Sequence, residues 1–164
     1  MDRYVFSTPF SYLMAEASEN GLTALHIMKT KPATREHTST RHPILIDTRK
    51  QVMEYFDLKR KVFDIPLDWS GATEFYRLVW NILISIPYGK TKSYGEIARA
   101  LGDIKKSRAV GLANGRNPSA IIVPCHRVIG SDGSLTGYAG GMEMKYKLLK
   151  LENPAQWVQQ GNLF

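Results

Sequence analysis

The chain has a single cysteine, Cys125, among its 164 residues, so no covalent cross-link within the chain can hold its fold together. An internal disulfide, a Cys-x-x-Cys redox pair and a cysteine-rich zinc site are all excluded. The fold must depend on a hydrophobic core. With 43% hydrophobic residues, the chain is large enough for one domain or for two small ones that share a core. An unpaired thiol is typical of a reducing compartment, which predicts a cytoplasmic location.

No stretch of the sequence comes close to the roughly 18–20 consecutive apolar residues of a transmembrane helix. The N-terminal segment MDRYVFSTPF lacks the basic stretch and the long apolar run of a secretory signal. We therefore expect neither a membrane span nor a membrane partner.

Positive charge is concentrated in the second part of the chain. Residues 1–70 contain 10 Lys and Arg against 9 Asp and Glu, whereas residues 71–164 contain 12 against 6. This contrast predicts two modules, 1–70 and 71–164, the second of which binds a polyanion. The alternative is a solvated basic surface without a dedicated partner, and charge alone does not separate the two interpretations.

The first module is predicted to be α/β. Its apolar spacing indicates three strands and one helix, in chain order Tyr12–Ala17, Leu22–Met28, Asp47–Phe56 (the helix) and Lys61–Leu67. Asn20-Gly21 suits the positive φ angles of a type I′ turn, which predicts a hairpin between the first two strands. Residues 29–43 are polar and contain two prolines, so we expect an exposed loop. The nearby histidines have no cysteine or carboxylate at ligand spacing, and no metal site is expected.

Helical patterns dominate the second module. Residues 73–84 place five apolar side chains on one face, namely Phe75, Leu78, Val79, Ile82 and Leu83. Ser93-Tyr94-Gly95-Glu96 is a Ser-x-x-Glu capping box that predicts a helix through Leu101. A turn at Gly102-Asp103 precedes a second helix over Lys106–Asn114. Two short helices joined by a glycine turn are typical of a helix-turn-helix.

The second of these helices has unusually small residues: Ala109, Gly111, Ala113 and Gly115. Each glycine costs a helix about 1 kcal/mol relative to alanine, so something is expected to approach this face closely. A second protein element and a narrow DNA groove both fit, and spacing alone slightly favours the protein element.

The cysteine follows a β-branched run, Ile121-Ile122-Val123, that predicts a buried strand. A thiol becomes a strong nucleophile as the thiolate, and His126 and Arg127 supply an imidazole and a positive charge beside Cys125. Glu152 is a candidate for orienting the histidine. The alternative is a buried structural cysteine, the usual role of an unpaired one.

The sequence resembles the O6-alkylguanine-DNA alkyltransferases from about residue 73 to Glu152. The resemblance rests on linked blocks in matching order: Ile86-Pro87-Tyr88-Gly89-Lys90-Thr91, Ser93-Tyr94-Gly95-Glu96-Ile97-Ala98, Arg108-Ala109-Val110-Gly111, Asn117-Pro118, Val123-Pro124-Cys125-His126-Arg127-Val128 and Gly137-Tyr138-Ala139-Gly140-Gly141. The N-terminal module is similar to that of the family only in layout.

The resemblance implies a role for each catalytic residue. Cys125 would accept an alkyl group from O6 of guanine, with O4 of thymine as a second candidate donor. The product would be an irreversible thioether, so each molecule would react once. His126 would act as its base through a water, with Glu152 orienting the imidazole. Tyr94 would supply a proton to the departing guanine, and Asn117 would brace the cysteine segment.

The resemblance also implies how duplex DNA with an alkylated guanine would be bound. Arg108 would enter the duplex in place of the extruded nucleotide, and the small residues Ala109, Gly111 and Ala113 would face a groove. Lys106 and Ser93 would complete the DNA contacts. The flipped base would lie in a pocket formed by Tyr138, Ala139, Gly140, Val128 and Arg127.

The implied fold is α/β, with a small ribonuclease H-like N-terminal module and a mainly helical C-terminal domain that contains the helix-turn-helix. The protein would act as a monomer without a cofactor. Many family members have serine where this chain has Ala139, so a hydroxyl contact is lost. Some hold zinc with N-terminal cysteines that this chain lacks, so no zinc is expected.

Two other functions remain open from the sequence. A non-catalytic lesion sensor or DNA-binding regulator could use the same scaffold, although the related alkyltransferase-like proteins lack the cysteine. A cysteine hydrolase could use Cys125, His126 and Asn117, although adjacent Cys and His are unusual in such a triad.

Overall fold

The computed structural model describes residues 1–158, and it has the mixed α/β class that the sequence predicts. The strands are β1 (Asp2–Ser7), β2 (Tyr12–Ala17), β3 (Leu22–Met28), β4 (Lys92–Ser93) and β5 (Val128–Ile129). The helices are α1 (Pro43–Phe56), α2 (Glu74–Ile84), α3 (Tyr94–Ala100), α4 (Ser107–Gly115) and α5 (Met142–Glu152), with 3₁₀ turns at Ile104–Lys106 and Cys125–Arg127. Within this part of the chain, no helix has the length and apolar character needed to cross a bilayer.

The chain forms two compact units. The first contains residues 1–71 and 118–122, and the second contains residues 72–117 and the described residues from 123 onward. Residues 118–122 belong to the first unit because the backbone of Leu25 bonds to them twice. The Leu25 amide donates to the Pro118 carbonyl, and the Ala120 amide donates to the Leu25 carbonyl.

The first unit is built on an antiparallel sheet of β1, β2 and β3 in that order. The predicted hairpin is confirmed, but its turn is not type I′, because neither Asn20 nor Gly21 has a positive φ. Glycine is required at position 21 for a different reason. A Cβ there would lie 2.8 Å from the Pro66 carbonyl oxygen, closer than side-chain carbons approach.

Helix α1 begins at Pro43, four residues before the predicted Asp47, because His42 caps it by accepting from the Ile44 amide. The predicted strand Lys61–Leu67 is wrong. The Gln51 side chain on α1 accepts from the Asp64 amide at 2.8 Å and donates to the Asp64 carbonyl at 3.0 Å. A buried glutamine thus satisfies backbone groups that a strand would have paired, and an isolated bridge at Leu67 is what remains of the predicted pairing.

Helix α2 forms as predicted, with Thr73 as its N-cap, but its buried face is rotated from the predicted one. Leu78 is 48% exposed, whereas Val79, Trp80 and Leu83 are buried. The shift follows from Trp80, whose indole Nε1 donates to the Ala113 carbonyl in α4 at 2.8 Å. Trp80, whose indole has a hydrogen-bond partner, is therefore buried in place of the apolar Leu78.

Helices α3 and α4 pack against each other, joined by a turn at Gly102, where φ is +92°. The Ser93 hydroxyl accepts from the Glu96 amide at 3.1 Å, which confirms the predicted cap of α3. Short strands β4 and β5 then pair in parallel, so that the start of α3 lies beside the end of the cysteine segment.

The predicted strand Ile121–Val123 is also wrong. These residues are buried but form a turn, in which Ile121 has a φ of +72°. A β-branched residue rarely adopts this left-handed conformation, so the surrounding structure must impose it.

Candidate active site

Cys125 is the first residue of the 3₁₀ turn Cys125–Arg127 and is 7% exposed. The bend before it is braced by the Val123 carbonyl, which accepts from the Cys125 amide and from the Asn117 side chain, both at 2.8 Å. Asn117 therefore lies against the cysteine segment, next to the residue that the sequence singled out as the nucleophile.

Burial raises the pKa of the Cys125 thiol, and two neighbours oppose that rise. The Asn117 side chain hydrogen-bonds to it, and the positive charge of Lys145 favours the thiolate. Because burial dominates, the resting group is a neutral thiol. A nearby base must remove its proton before it can attack.

His126 is fully buried, and its Nε2 lies 2.6 Å from Glu152 Oε2. Burial lowers the pKa of the imidazole, against the pull of Glu152, so the ring is neutral. A neutral imidazole beside a carboxylate donates from Nε2, which leaves Nδ1 as the acceptor. Nδ1 is buried and has no hydrogen-bond partner among residues 1–158. The ring is thus arranged as a base whose free lone pair is at Nδ1.

Glu152 holds this histidine and is itself held by Arg127. Arg127 Nε donates to Oε1 at 2.8 Å, and Nη2 donates to Oε2 at 3.2 Å. Burial opposes the carboxylate charge, but His126 and Arg127 outweigh it and lower the pKa of Glu152. The third guanidinium nitrogen of Arg127, Nη1, donates to the Ile86 carbonyl at 2.7 Å. The sequence places Arg127 in the base pocket, whereas its polar contacts here are with Glu152 and Ile86.

Gly89 also contributes to this carboxylate, a role that the sequence analysis missed. Its amide donates to Glu152 Oε1 at 3.1 Å, and its carbonyl accepts from the Asn153 side chain at 3.1 Å. Gly89 has a φ of +75°, and a Cβ there would lie 3.3 Å from the Glu152 carbonyl oxygen. The available signal was the turn sequence Pro87-Tyr88-Gly89, which gives no indication of its partner.

Lys145 is the second functional residue that sequence reasoning missed. It is fully buried on α5, where its Nζ donates to the Val128 carbonyl at 2.6 Å and to the Thr136 carbonyl at 2.7 Å. Burial lowers the pKa of Lys145 to about 8, and a thiolate at Cys125 would oppose that shift. A signal was present, because Lys145 lies seven residues before Glu152, on the same face of α5.

The loop that follows β5 carries Tyr138, and a thiolate at Cys125 would add to the rise in the pKa of its phenol. The Tyr138 hydroxyl is buried, with no hydrogen-bond partner in the described part of the chain, and burial raises its pKa. Ala139 is exposed and Gly140 is half-buried. Tyr94, on α3, reaches the same loop, where its hydroxyl donates to the Thr136 carbonyl at 3.3 Å.

The residues predicted to bind DNA differ in their exposure to solvent. Lys106, Arg108 and Ala109 are exposed, and Gly111 is half-buried near the Tyr94 ring. Ser93 is half-buried and caps α3.

The prediction for Ala113 is wrong, since it is fully buried and its carbonyl binds Trp80. The exposed apolar residue on α4 is instead Leu112, at 54%. Protein packing thus explains the small residue at Ala113, whereas Ala109 is open to solvent.

Comparisons with known proteins identify the family of the chain. Residues 74–154 match the family described as 6-O-methylguanine DNA methyltransferase, DNA binding domain. The chain is 47% identical over 150 residues to the methylated-DNA–protein-cysteine methyltransferase of Methanosarcina acetivorans, which covers 90% of this chain and 96% of that relative.

Two solved structures are also similar over nearly the whole chain. The Mycobacterium tuberculosis O6-methylguanine methyltransferase has a TM-score of 0.80 and 43% identity, and covers 93% of both chains. The OGT of the same organism in complex with DNA has a TM-score of 0.82 and 42% identity, and covers 94% of both chains. With relatives this similar over this length, the chain belongs to the methylated-DNA–protein-cysteine methyltransferase family.

Proposed function

We propose that this protein repairs DNA by direct reversal of alkylation, transferring an alkyl group from O6 of guanine in duplex DNA to the sulfur of Cys125. One observation carries the proposal. The 2.6 Å contact of His126 Nε2 with Glu152 leaves Nδ1 as the buried acceptor on the residue next to the thiol. The names of the close relatives supply the reaction class.

The proposed chemistry begins with proton removal from Cys125. His126 Nδ1 takes the thiol proton through a bridging water, while Glu152 accepts the Nε2 proton in a hydrogen bond and stabilises the imidazolium. The thiolate attacks the carbon bonded to O6, in line with the bond that breaks. The S–C bond forms, and guanine leaves with the electron pair of the C–O bond. Tyr94 supplies a proton to the departing base, and Asn117 keeps the cysteine segment in place.

Water does not hydrolyse a thioether at neutral pH, so each protein molecule reacts once. Metal and organic cofactors have no step in this scheme, because the leaving group is activated by a proton. O4-alkylthymine presents the same alkyl–oxygen bond and is a second candidate substrate.

The base pocket is proposed to lie under the loop that carries Tyr138, Ala139 and Gly140. The carbonyl of Val128 would read the guanine amino group. It already accepts from Lys145 Nζ at 2.6 Å, but a carbonyl oxygen has a second lone pair. An amino group on the base can therefore be read without displacing the lysine.

A base inside a duplex cannot reach a buried sulfur, so the nucleotide must be flipped out at a cost of a few kcal/mol. Helices α3 and α4 are proposed to act as a helix-turn-helix whose exposed face meets the minor groove. Lys106 would contact the phosphates, Ala109 would allow close approach, and Arg108 would fill the space left by the flipped nucleotide. The M. tuberculosis relative has been solved in complex with DNA, which supports DNA as the partner.

The finer organisation is proposed on the family likeness. Residues 1–70 would form a ribonuclease H-like module and residues 71–164 the alkyltransferase domain, apart from residues 118–122, which lie in the first unit. The protein would act as a monomer in the cytoplasm, where a free thiol such as Cys125 stays reduced.

The decisive experiment measures the mass of the Cys125 peptide by mass spectrometry after incubation with duplex DNA that contains O6-methylguanine. The expected result is a mass increase of one CH₂ in the wild type and none in Cys125→Ser. An unchanged wild-type peptide, with DNA still bound, would contradict the proposal and identify a lesion sensor instead. Repeated turnover on an ester substrate would identify a hydrolase.

A further inference from the structure

Thr136 connects three elements around the site through two of its polar groups. Its carbonyl accepts from Lys145 Nζ at 2.7 Å and from the Tyr94 hydroxyl at 3.3 Å. Its own hydroxyl donates back to the Tyr94 oxygen at 3.3 Å. Tyr94 and Thr136 thus exchange two hydrogen bonds, one in each direction.

The neighbours of Thr136 fix its position. Leu135 is buried in a cluster with Leu149 and Trp157, so the loop is anchored immediately before Thr136. The buried ammonium of Lys145 holds the Thr136 carbonyl. Neither anchor involves the threonine hydroxyl. The side chain of Thr136 can therefore act on Tyr94 without itself being needed to hold the loop.

The direction of each bond decides what it does when Tyr94 gives up its proton. The bond from the Tyr94 hydroxyl to the Thr136 carbonyl must break, since that proton passes to the base. The bond from the Thr136 hydroxyl to the Tyr94 oxygen remains and becomes a bond to a phenolate. A hydrogen bond donated to an anion is about twice as strong as one between neutral groups. The threonine hydroxyl therefore stabilises the state in which the proton has been transferred.

We propose that Thr136 is a positioning residue that orients the Tyr94 phenol and stabilises its anion while the alkyl group is transferred. The inference rests on the proposed function, in which Tyr94 is the acid. In the step itself the S–C bond forms and the C–O6 bond breaks. The Tyr94 proton goes to the departing guanine, and the negative charge left on the phenol oxygen is met by the Thr136 hydroxyl. Solvent returns the proton afterwards.

The test compares Thr136→Val with Thr136→Ser in single-turnover assays on O6-methylguanine duplex, at protein concentrations that saturate the DNA. Valine keeps the branched shape and the backbone carbonyl but lacks the hydroxyl, whereas serine keeps the hydroxyl. We expect Thr136→Val to slow transfer in the bound state about three- to tenfold, the range of one lost hydrogen bond, with unchanged affinity for DNA. Thr136→Ser is expected to stay within about twofold of the wild type.

The same substitution in a Tyr94→Phe background separates this role from a structural one. If the hydroxyl acts through Tyr94, Thr136→Val adds no further loss once the phenol oxygen is gone. An equal loss in both backgrounds would overturn the proposal, because it would assign the effect to the loop itself. So would a wild-type rate in Thr136→Val, or a loss confined to DNA affinity. If the wild type transfers no alkyl group, the proposed function fails and this inference fails with it.

Discussion

Replacing Arg127 with methionine should reveal how strongly the buried carboxylate of Glu152 depends on its partner. Arg127 makes three hydrogen bonds through its fork, two to Glu152 and one to the Ile86 carbonyl, and the Glu152 side chain is 1% exposed. Removing one member of a buried ion pair leaves an uncompensated charge and costs about 3–5 kcal/mol. In a chain of this size, each kcal/mol shifts the Tm by about 2–4 °C. The expected fall in Tm is therefore about 6–20 °C.

A double variant shows whether the charge is the cause. Arg127→Met combined with Glu152→Gln removes both charges and should be more stable than Arg127→Met alone by at least about 2 kcal/mol. Urea unfolding at neutral pH, followed by tryptophan fluorescence, measures both variants. Arg99→Met, at an exposed position on α3, is the matched control and should stay within about 0.5 kcal/mol of the wild type. If the double variant is no more stable than the single one, lost packing rather than a buried charge explains the effect.

Three further predictions concern stability. Burial lowers the pKa of His126, so below about pH 6.5 the unfolded chain binds a proton that the folded chain rejects. The free energy of unfolding should fall by about 1.4 kcal/mol per pH unit as the pH decreases there, and urea titrations of His126→Asn should lack this component. Trp80→Phe removes the indole donor to the Ala113 carbonyl, which keeps the Arg116 amide as a second donor at 3.2 Å. The substitution should cost about 0.5–1.5 kcal/mol in urea unfolding, the range of one lost hydrogen bond, and wild-type stability would contradict the contact. Gly89→Ala should lower the Tm more than the control Gly133→Ala. Both glycines have a positive φ, but only a Cβ at position 89 would also crowd the Glu152 carbonyl oxygen. Equal shifts in Tm would exclude that contact.

Local signals in the sequence were enough for most of the helices and for the hairpin. The Ser93 cap marks the start of α3 because its hydroxyl accepts from the Glu96 amide three residues on, an interaction that does not depend on the rest of the fold. The spacing of apolar residues also located β2 and β3 correctly. It could not decide which side of α2 is buried, since Leu78 and Trp80 are both apolar and the indole contact that decides between them comes from a distant helix.

The two wrong strands had a different cause. Both Lys61–Leu67 and Ile121–Val123 have apolar, β-branched compositions that suit a strand, but their backbone groups are satisfied in other ways. Gln51 bonds to both backbone polar groups of Asp64, and Ile121 is held in a left-handed turn. Interactions of this kind involve residues outside the segment, so no pattern within the segment predicts them.

Some residues of the candidate site could be predicted from the sequence, and others could not. Cys125, His126 and Glu152 could be named from the sequence because their chemistry is carried by side chains that belong together in a known motif. Gly89 could not, because it acts on the site through its backbone amide, a group that every residue has. Lys145 left a spacing signal, seven residues before Glu152 on α5, but that spacing does not indicate that its ammonium binds two backbone carbonyls.

The burial of Cys125 also affects how the resting protein reacts with small reagents in solution. Its sulfur is a neutral thiol with little access to solvent, because burial both raises its pKa and covers it. Oxidants and small alkylating agents in solution react with exposed thiolates, so we expect them to react slowly with Cys125. In a protein proposed to react once, this protection would keep the sulfur available for a base brought directly to it.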